Sequence, residues 1–124
     1  MIVIQTVIKL YIDGGTRNNN ICLVDGVKTI IKIRNGKTGK PTNNELEYLA
    51  LLYALTYISN RYSKRNVKIL SDSMLVVKQI NKVWRITTPT LAPIWEKCMK
   101  LMTDKIKVGW VSREFNRAGW VLEK

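Results

Sequence analysis

Ile8-Lys9-Leu10-Tyr11-Ile12-Asp13-Gly14-Gly15-Thr16 is the stretch on which the fold turns. Ile8, Leu10 and Ile12 alternate with Lys9 and Tyr11, the period of two that gives a strand one committed apolar face. The run then meets a carboxylate and two glycines. Asp13 is therefore expected where a strand runs out, poorly placed for a core and well placed for a metal or a reacting group. Gly14 and Gly15 would let another backbone, or a ligand's, come close. Taken alone, the same residues are an ordinary Asp-Gly turn, which is commoner than an active site.

Residues 2–12 as a whole read as this first strand. Asn18-Asn19-Asn20 is a turn, and residues 21–24 and 27–34 flank Asp25-Gly26 as a hairpin, since Asp-Gly between apolar runs suits a type I′ turn. Asp25 is thereby assigned to the turn. Residues 35–41 are a loop. Thr42-Asn43-Asn44-Glu45 fits a capping box, and Leu46, Leu49, Ala50, Tyr53, Ala54, Tyr57 and Ile58 recur at helical spacing to about Arg61. Glu47 shares a face with Ala50, Leu51, Ala54 and Ile58, whereas Glu45 points elsewhere. An acid near a helix N-terminus is ordinarily a complement to the dipole; the apolar neighbours of Glu47 argue against a purely solvated role.

Residues 66–70 predict a short strand that runs through Ser71-Asp72-Ser73 into a helix over 74–83. As an isolated feature Asp72 would be an N-cap. Residues 84–89 form a loop carrying Trp84 and Arg85, residues 90–102 a third helix with Pro93 in its first turn, and residues 106–111 a strand. A terminal helix over 116–124 is capped by Asn116. The order β-β-β-α-β-α-α-β-α implies an α/β fold: a five-stranded mixed sheet with helices packed on it, its first and fourth strands adjacent and parallel.

The totals fit one domain spanning residues 1–124. No apolar run reaches membrane-spanning length, and a monomer working in the cytoplasm without an obligate protein partner is expected. Twenty-one basic residues against nine acidic ones, net +12, favour a polyanionic partner, because each lysine or arginine that meets a phosphate releases condensed counterions. Histidine is absent, which excludes histidine-based general-base and zinc chemistry. Cys22 and Cys98, far apart in sequence, read as two separately buried thiols, with a disulfide undecided without geometry.

If the first and fourth strands are parallel neighbours, Asp13 and Asp72 come together at their carboxyl ends, where ligand sites of α/β sheets form. Glu47 on the overlying helix completes a cluster of three. Such carboxylates repel unless a cation neutralises them, and oxygen ligands imply Mg²⁺ or Mn²⁺.

Tyr11-Ile12-Asp13-Gly14-Gly15, Thr42-Asn43-Asn44-Glu45-Leu46-Glu47-Tyr48, Leu70-Ser71-Asp72-Ser73 and Trp110-Val111-Ser112-Arg113-Glu114-Phe115-Asn116 resemble the successive signatures of type 1 ribonuclease H, in that family's order. Each is weak alone, and four in order are specific. The resemblance implies a ribonuclease H-like fold and an endonuclease that cuts the RNA strand of RNA–DNA hybrids with two metal ions, leaving a 5′ phosphate and a 3′ hydroxyl. Asp13, Glu47 and Asp72 match the first three catalytic, metal-binding carboxylates. At the fourth the chain departs: Gly119 or Trp120 falls where the family has aspartate. Glu123, the remaining acid of that helix, is expected to serve as fourth ligand; an unfilled position would weaken one metal site.

The resemblance also implies substrate contacts by Asn43 and Asn44 in the minor groove and by the backbone of Gly14 and Gly15 at the RNA sugars. Ser73, Arg113 and Asn116, which belong to matched motifs, are expected to contact substrate as well, Arg113 at a phosphate, and Met74 stands where a polar residue often follows. Trp84 and Arg85, with Lys78 and Lys82 nearby, would make a small DNA-strand grip, although a tryptophan packed beneath its loop fits as well. Two alternatives stay open: a related nuclease of the same fold, and a catalytically idle module binding hybrid or double-stranded RNA.

Overall fold

The computed structural model describes residues 6–15, 20–34 and 41–122. Five strands, β1 (Ile8–Gly15), β2 (Asn20–Asp25), β3 (Lys28–Arg34), β4 (Val67–Ser71) and β5 (Ile106–Trp110), form a mixed sheet in the order β3-β2-β1-β4-β5. The alternating stretch is its centre. β1 pairs antiparallel with β2 and parallel with β4, which pairs parallel with β5. Four helices, α1 (Asn43–Arg61), α2 (Met74–Ile80), α3 (Ala92–Leu101) and α4 (Arg117–Leu122), complete the described chain with a 3₁₀ turn at Arg113–Phe115.

The period of two does the sorting. Leu10 and Ile12 of β1, Val67 and Ile69 of β4, and Ile106 and Val108 of β5 face one layer, and Leu46, Ala50, Leu51, Ala54, Leu55 and Ile58 of α1 close over them. Each large aliphatic side chain buried there contributes about 1.5–3 kcal/mol of transfer free energy. On the other face α4 covers only part of the sheet, packing Ala118, Val121 and Leu122 on Tyr11, Cys22 and Val24. Thr42 caps α1 as expected, its Oγ1 accepting the Glu45 N–H at 3.2 Å.

Three expectations are corrected by tertiary pairing. Asp13 does not lie past the strand end: β2 backs β1 as far as Gly15, with Asp13 opposite Cys22, while the parallel partner stops at Ser71, opposite Ile12. Asp13 and Asp72 are thus the next residues of two adjacent parallel strands. Asp25 is the last residue of β2, paired with Lys28, and the turn is Gly26-Val27. Only the first of these has positive φ, +64° at Gly26, the pattern of a type II′ turn rather than type I′. α2 ends at Ile80, short of Val83, because Lys82 adopts φ 61° and the N–H groups of Val83 and Trp84 both return to the Lys78 carbonyl.

Thr6 and Val7 precede β1 without pairing, and the expected strand start at residues 2–5, Asn18, Asn19, the loop residues 35–40 and Glu123 lie outside the described residues. Cys22 and Cys98 are separate buried thiols. Among the described residues no helix is long and apolar enough to cross a membrane.

Candidate active site

Parallel pairing of β1 with β4 puts Asp13 and Asp72 side by side at the carboxyl end of the sheet, and the N-terminal turn of α1 lowers Glu47 onto them. One oxygen from each of the three lies within 4.8 Å of the others. The helix comes this close because residue 14 is glycine. A Cβ there would stand 2.5 Å from the Leu46 carbonyl carbon and oxygen and 2.8 Å from the Glu47 nitrogen. Backbone cannot yield to that. Instead the Gly14 N–H donates to Glu47 Oε1 at 2.6 Å, tying strand to helix through the carboxylate itself. At Gly15 a Cβ would meet nothing within 4 Å.

Glu47 is buried, 6% exposed, and its second oxygen, Oε2, has no hydrogen-bond partner. Burial chiefly, then the charge of Asp13, pushes its carboxyl up to about 9. Burial likewise raises Asp13, with the Asp72 charge adding, to about 6; the hydrogen bond with Glu47, the Gly14 N–H and Arg113 pull the other way. Burial and mutual repulsion therefore both disfavour full ionisation of the pair, and a cation between them would relieve that cost. An orphaned buried oxygen beside two more carboxylates is a donor set that fits a hard divalent ion.

Two hydrogen bonds hold Asp72, and a third ties its two neighbours together. The Trp110 indole donates to its carbonyl at 3.2 Å, Ser71 Oγ accepts the Ser73 N–H at 3.0 Å, and Asn116 Nδ2 donates to Asp72 Oδ2 at 3.1 Å. The same Asn116 amide donates to the Ile12 carbonyl at 2.9 Å, and its Oδ1 accepts the Ala118 N–H, capping α4. Asn116 is fully buried. A substrate cannot reach it, so the contact expected there becomes a clamp on the ends of β1 and β4. Ser73, partly exposed, caps α2 by accepting the Val76 N–H.

Asn43 and Asn44 are exposed on the first turn of α1 beside Glu47, Arg113 is exposed with its charge felt by Asp13, and Trp84 and Arg85 are exposed on the loop after α2. Trp84 is not packed beneath that loop: it is 47% exposed. The loop is instead anchored by a polar network that sequence reasoning missed. Tyr48 Oη donates to buried Gln79 Oε1 at 2.7 Å, and Gln79 Nε2 donates to the Arg85 carbonyl at 3.1 Å. Tyr48 directly follows Glu47, which was the available signal. Gly119 is the residue of α4 that meets the cluster, with Asp13 Oδ2 3.3 Å from where its Cβ would stand. No carboxylate occupies that wall among the described residues.

Known proteins are similar to this chain in sequence and fold. The family model described as reverse transcriptase-like matches residues 21–122, which leaves out β1 and Asp13. Ribonuclease HI of Halobacterium salinarum is 30% identical over 99 residues, 75% of this chain and 49% of the relative, so the chain spans about half that relative's length. LC11-RNase H1, isolated from compost, superposes with a TM-score of 0.76 at 27% identity, over 94% of this chain and 93% of the other. The same protein solved in complex with an RNA/DNA hybrid gives 0.73 at 27% identity over 88% of each chain.

Proposed function

The chain belongs to the reverse transcriptase-like family, with the fold of type 1 ribonuclease H, and we propose that it is a metal-dependent endonuclease cutting the RNA strand of RNA–DNA hybrids. The observation that carries this is the buried, unpaired Glu47 Oε2 within a three-carboxylate cluster, an arrangement that costs stability and gains nothing in a mere binder. Asp13, Glu47 and Asp72 would hold the ions. Two Mg²⁺ or Mn²⁺ ions, when bound, would lower the pKa of a water and stabilise charge on the leaving 3′ oxygen. The products would carry 5′ phosphate and 3′ hydroxyl ends.

The chain's own residues set the geometry. The Gly14 N–H fixes Glu47 Oε1 and so aims Oε2 inward, while Asn116 fixes Asp72 against the end of β1. Arg113 offers a cation beside Asp13 for a phosphate. Exposed Asn43 and Asn44 are placed for 2′-hydroxyls and base edges in a minor groove, with Trp84 and Arg85 contacting the DNA strand. Glu123, the remaining acid after Gly119 in the sequence, is the proposed fourth ligand.

Cleavage of labelled hybrid, with duplex RNA and duplex DNA as controls, in Mg²⁺, Mn²⁺ and EDTA tests this reading. Hybrid-only, metal-dependent cutting that Asp13→Asn abolishes is the expected result, and the Glu123→Gln rate reports on the fourth ligand. Gly119 facing Asp13 favours one alternative, an idle hybrid-binding module. Tight binding of hybrid with no cutting in either metal would establish that module instead.

A further inference from the structure

The half of the sheet that α4 leaves uncovered carries a row of cations that the carboxylate cluster does not use. Lys9 of β1 pairs in register with Lys68 of β4, and Lys68 with Lys107 of β5. All three are exposed, and none is in an ion pair with a described carboxylate. Adjacent strands lie about 4.8 Å apart. The three residues therefore cross the sheet in a row about 10 Å long, and like charges on directly opposite residues are destabilising.

The row lies on the same face of the sheet as Asp13 and Asp72, the two strand-borne carboxylates of the site, whereas Glu47 reaches the cluster from α1 on the other face. Along β1, Lys9, Tyr11 and Asp13 share one face; along β4, Lys68, Leu70 and Asp72 share it. Asp25 belongs to the opposite face, opposite Leu10. Four residues of strand, about 13 Å, separate the lysine row from the carboxylates. Between them Gly109 keeps the surface low. The Lys68 stem lies against it, with Cε 3.0 Å and Nζ 3.7 Å from where a Cβ of Gly109 would stand, so the Lys68 cation leans toward β5.

We propose that Lys9, Lys68 and Lys107 form a second phosphate-contact row, which holds the nucleic-acid backbone outside the cutting site. The proposal rests on a nucleic-acid duplex as the ligand of the carboxylate site. One strand of a duplex advances about 3.4 Å per nucleotide along its axis, so the row meets phosphates roughly four nucleotides from those at the carboxylates. A polyanion is the occupant that the charge pattern fits. The contacts carry no base information and set register and affinity.

The test compares wild type with Lys9→Gln/Lys68→Gln/Lys107→Gln, binding a labelled hybrid in EDTA across a salt series. Lys64→Gln/Lys97→Gln/Lys100→Gln removes equal charge from other exposed positions and serves as control. Each phosphate contact contributes about 0.9 to the slope of log affinity against log salt. The row variant should lose about 2 to 3 from that slope while the control keeps it. Thermal melting should show the row variant folded, at or above the wild-type midpoint. Equal slopes for wild type and row variant, or an equal loss in the control, would overturn the proposal. If wild type cuts nothing, the nuclease reading fails while the slopes still decide the row.

Discussion

Two Asp-Gly dipeptides follow apolar strand residues in this chain, Asp13-Gly14 and Asp25-Gly26, and the fold uses them in opposite ways. Asp25 Oδ2 accepts hydrogen bonds from Tyr57 Oη at 2.9 Å and Tyr62 Oη at 2.6 Å, and the two rings meet edge to face at 5.8 Å. That carboxylate is satisfied by the C-terminal part of α1. Asp13 meets the other end of the same helix, where it finds two more carboxylates and an oxygen of Glu47 with no partner. An acid whose neighbours are donors holds a fold together; acids whose neighbours are acids await a cation. The partners decide, and the dipeptide does not.

The largest effect that separates the two ends is on catalysis. Glu47→Gln should lower hybrid cleavage by at least about a thousandfold, because the lost oxygen is a proposed metal ligand. Its amide can still accept from Gly14 and donate to Asp13, so the melting midpoint in EDTA should hold or rise. Asp25→Asn should do the reverse, costing about 1–3 kcal/mol in urea unfolding with the cleavage rate unchanged. A slow but fully stable Asp25→Asn protein would erase the distinction between the ends.

The glycines sharpen the contrast further. Gly14→Ala drives a Cβ into the α1 backbone and should cost about 1–3 kcal/mol together with activity. Gly26→Ala meets no neighbour within 4 Å but must hold φ +64°, which costs about 1–2 kcal/mol and leaves the site untouched. Gly15→Ala should be nearly neutral for stability.

Acidity gives a subtler separation. Glu47 rises from 4.5 to about 9 and Asp13 from 3.8 to about 6, so the folded protein binds more protons than the unfolded chain. Their stabilising contribution is full below about pH 4 and is lost as pH rises, through about 6 for Asp13 and about 9 for Glu47. In EDTA the wild type should therefore lose melting midpoint between pH 5 and pH 9 relative to Glu47→Gln. Mg²⁺ should restore it at pH 8 and do little at pH 5. A parallel fall in Glu47→Gln would show that the proton sits elsewhere.

The smallest expected change is at Gly119. Gly119→Asp sets a fourth carboxylate beside Asp13 and should lower the Mg²⁺ concentration needed for half-maximal cleavage several-fold, while lowering the melting midpoint in EDTA by added repulsion. An unchanged metal requirement would mean that this wall does not face the ions.

Periodicity, capping and strand order were legible because they are local. The alternation at Ile8–Ile12 chose the buried face of the central strand, Thr42 and Glu45 fixed the start of α1, and the order of elements implied that β1 and β4 are parallel neighbours. That sufficed to bring Asp13, Glu47 and Asp72 together. Asn116 was recognised as a cap, and its clamp on Ile12 and Asp72 was not, because both partners are more than forty residues away. The ends of α2 and of the hairpin turn were missed for a related reason. A left-handed Lys82 and the pairing of Asp25 with Lys28 come from the surrounding fold rather than from residue preference.

What the sequence determined by itself was the sheet, its helices and the identity of three carboxylates, since hydrophobic period and chemical type are written residue by residue. Only tertiary structure decided which Asp-Gly is structural and that Gly14 admits the start of α1. It alone also set Gly119 against Asp13 and lined up three lysines across the sheet. Each of these depends on register between segments far apart in the chain, and register is fixed only when the strands pair and the core closes.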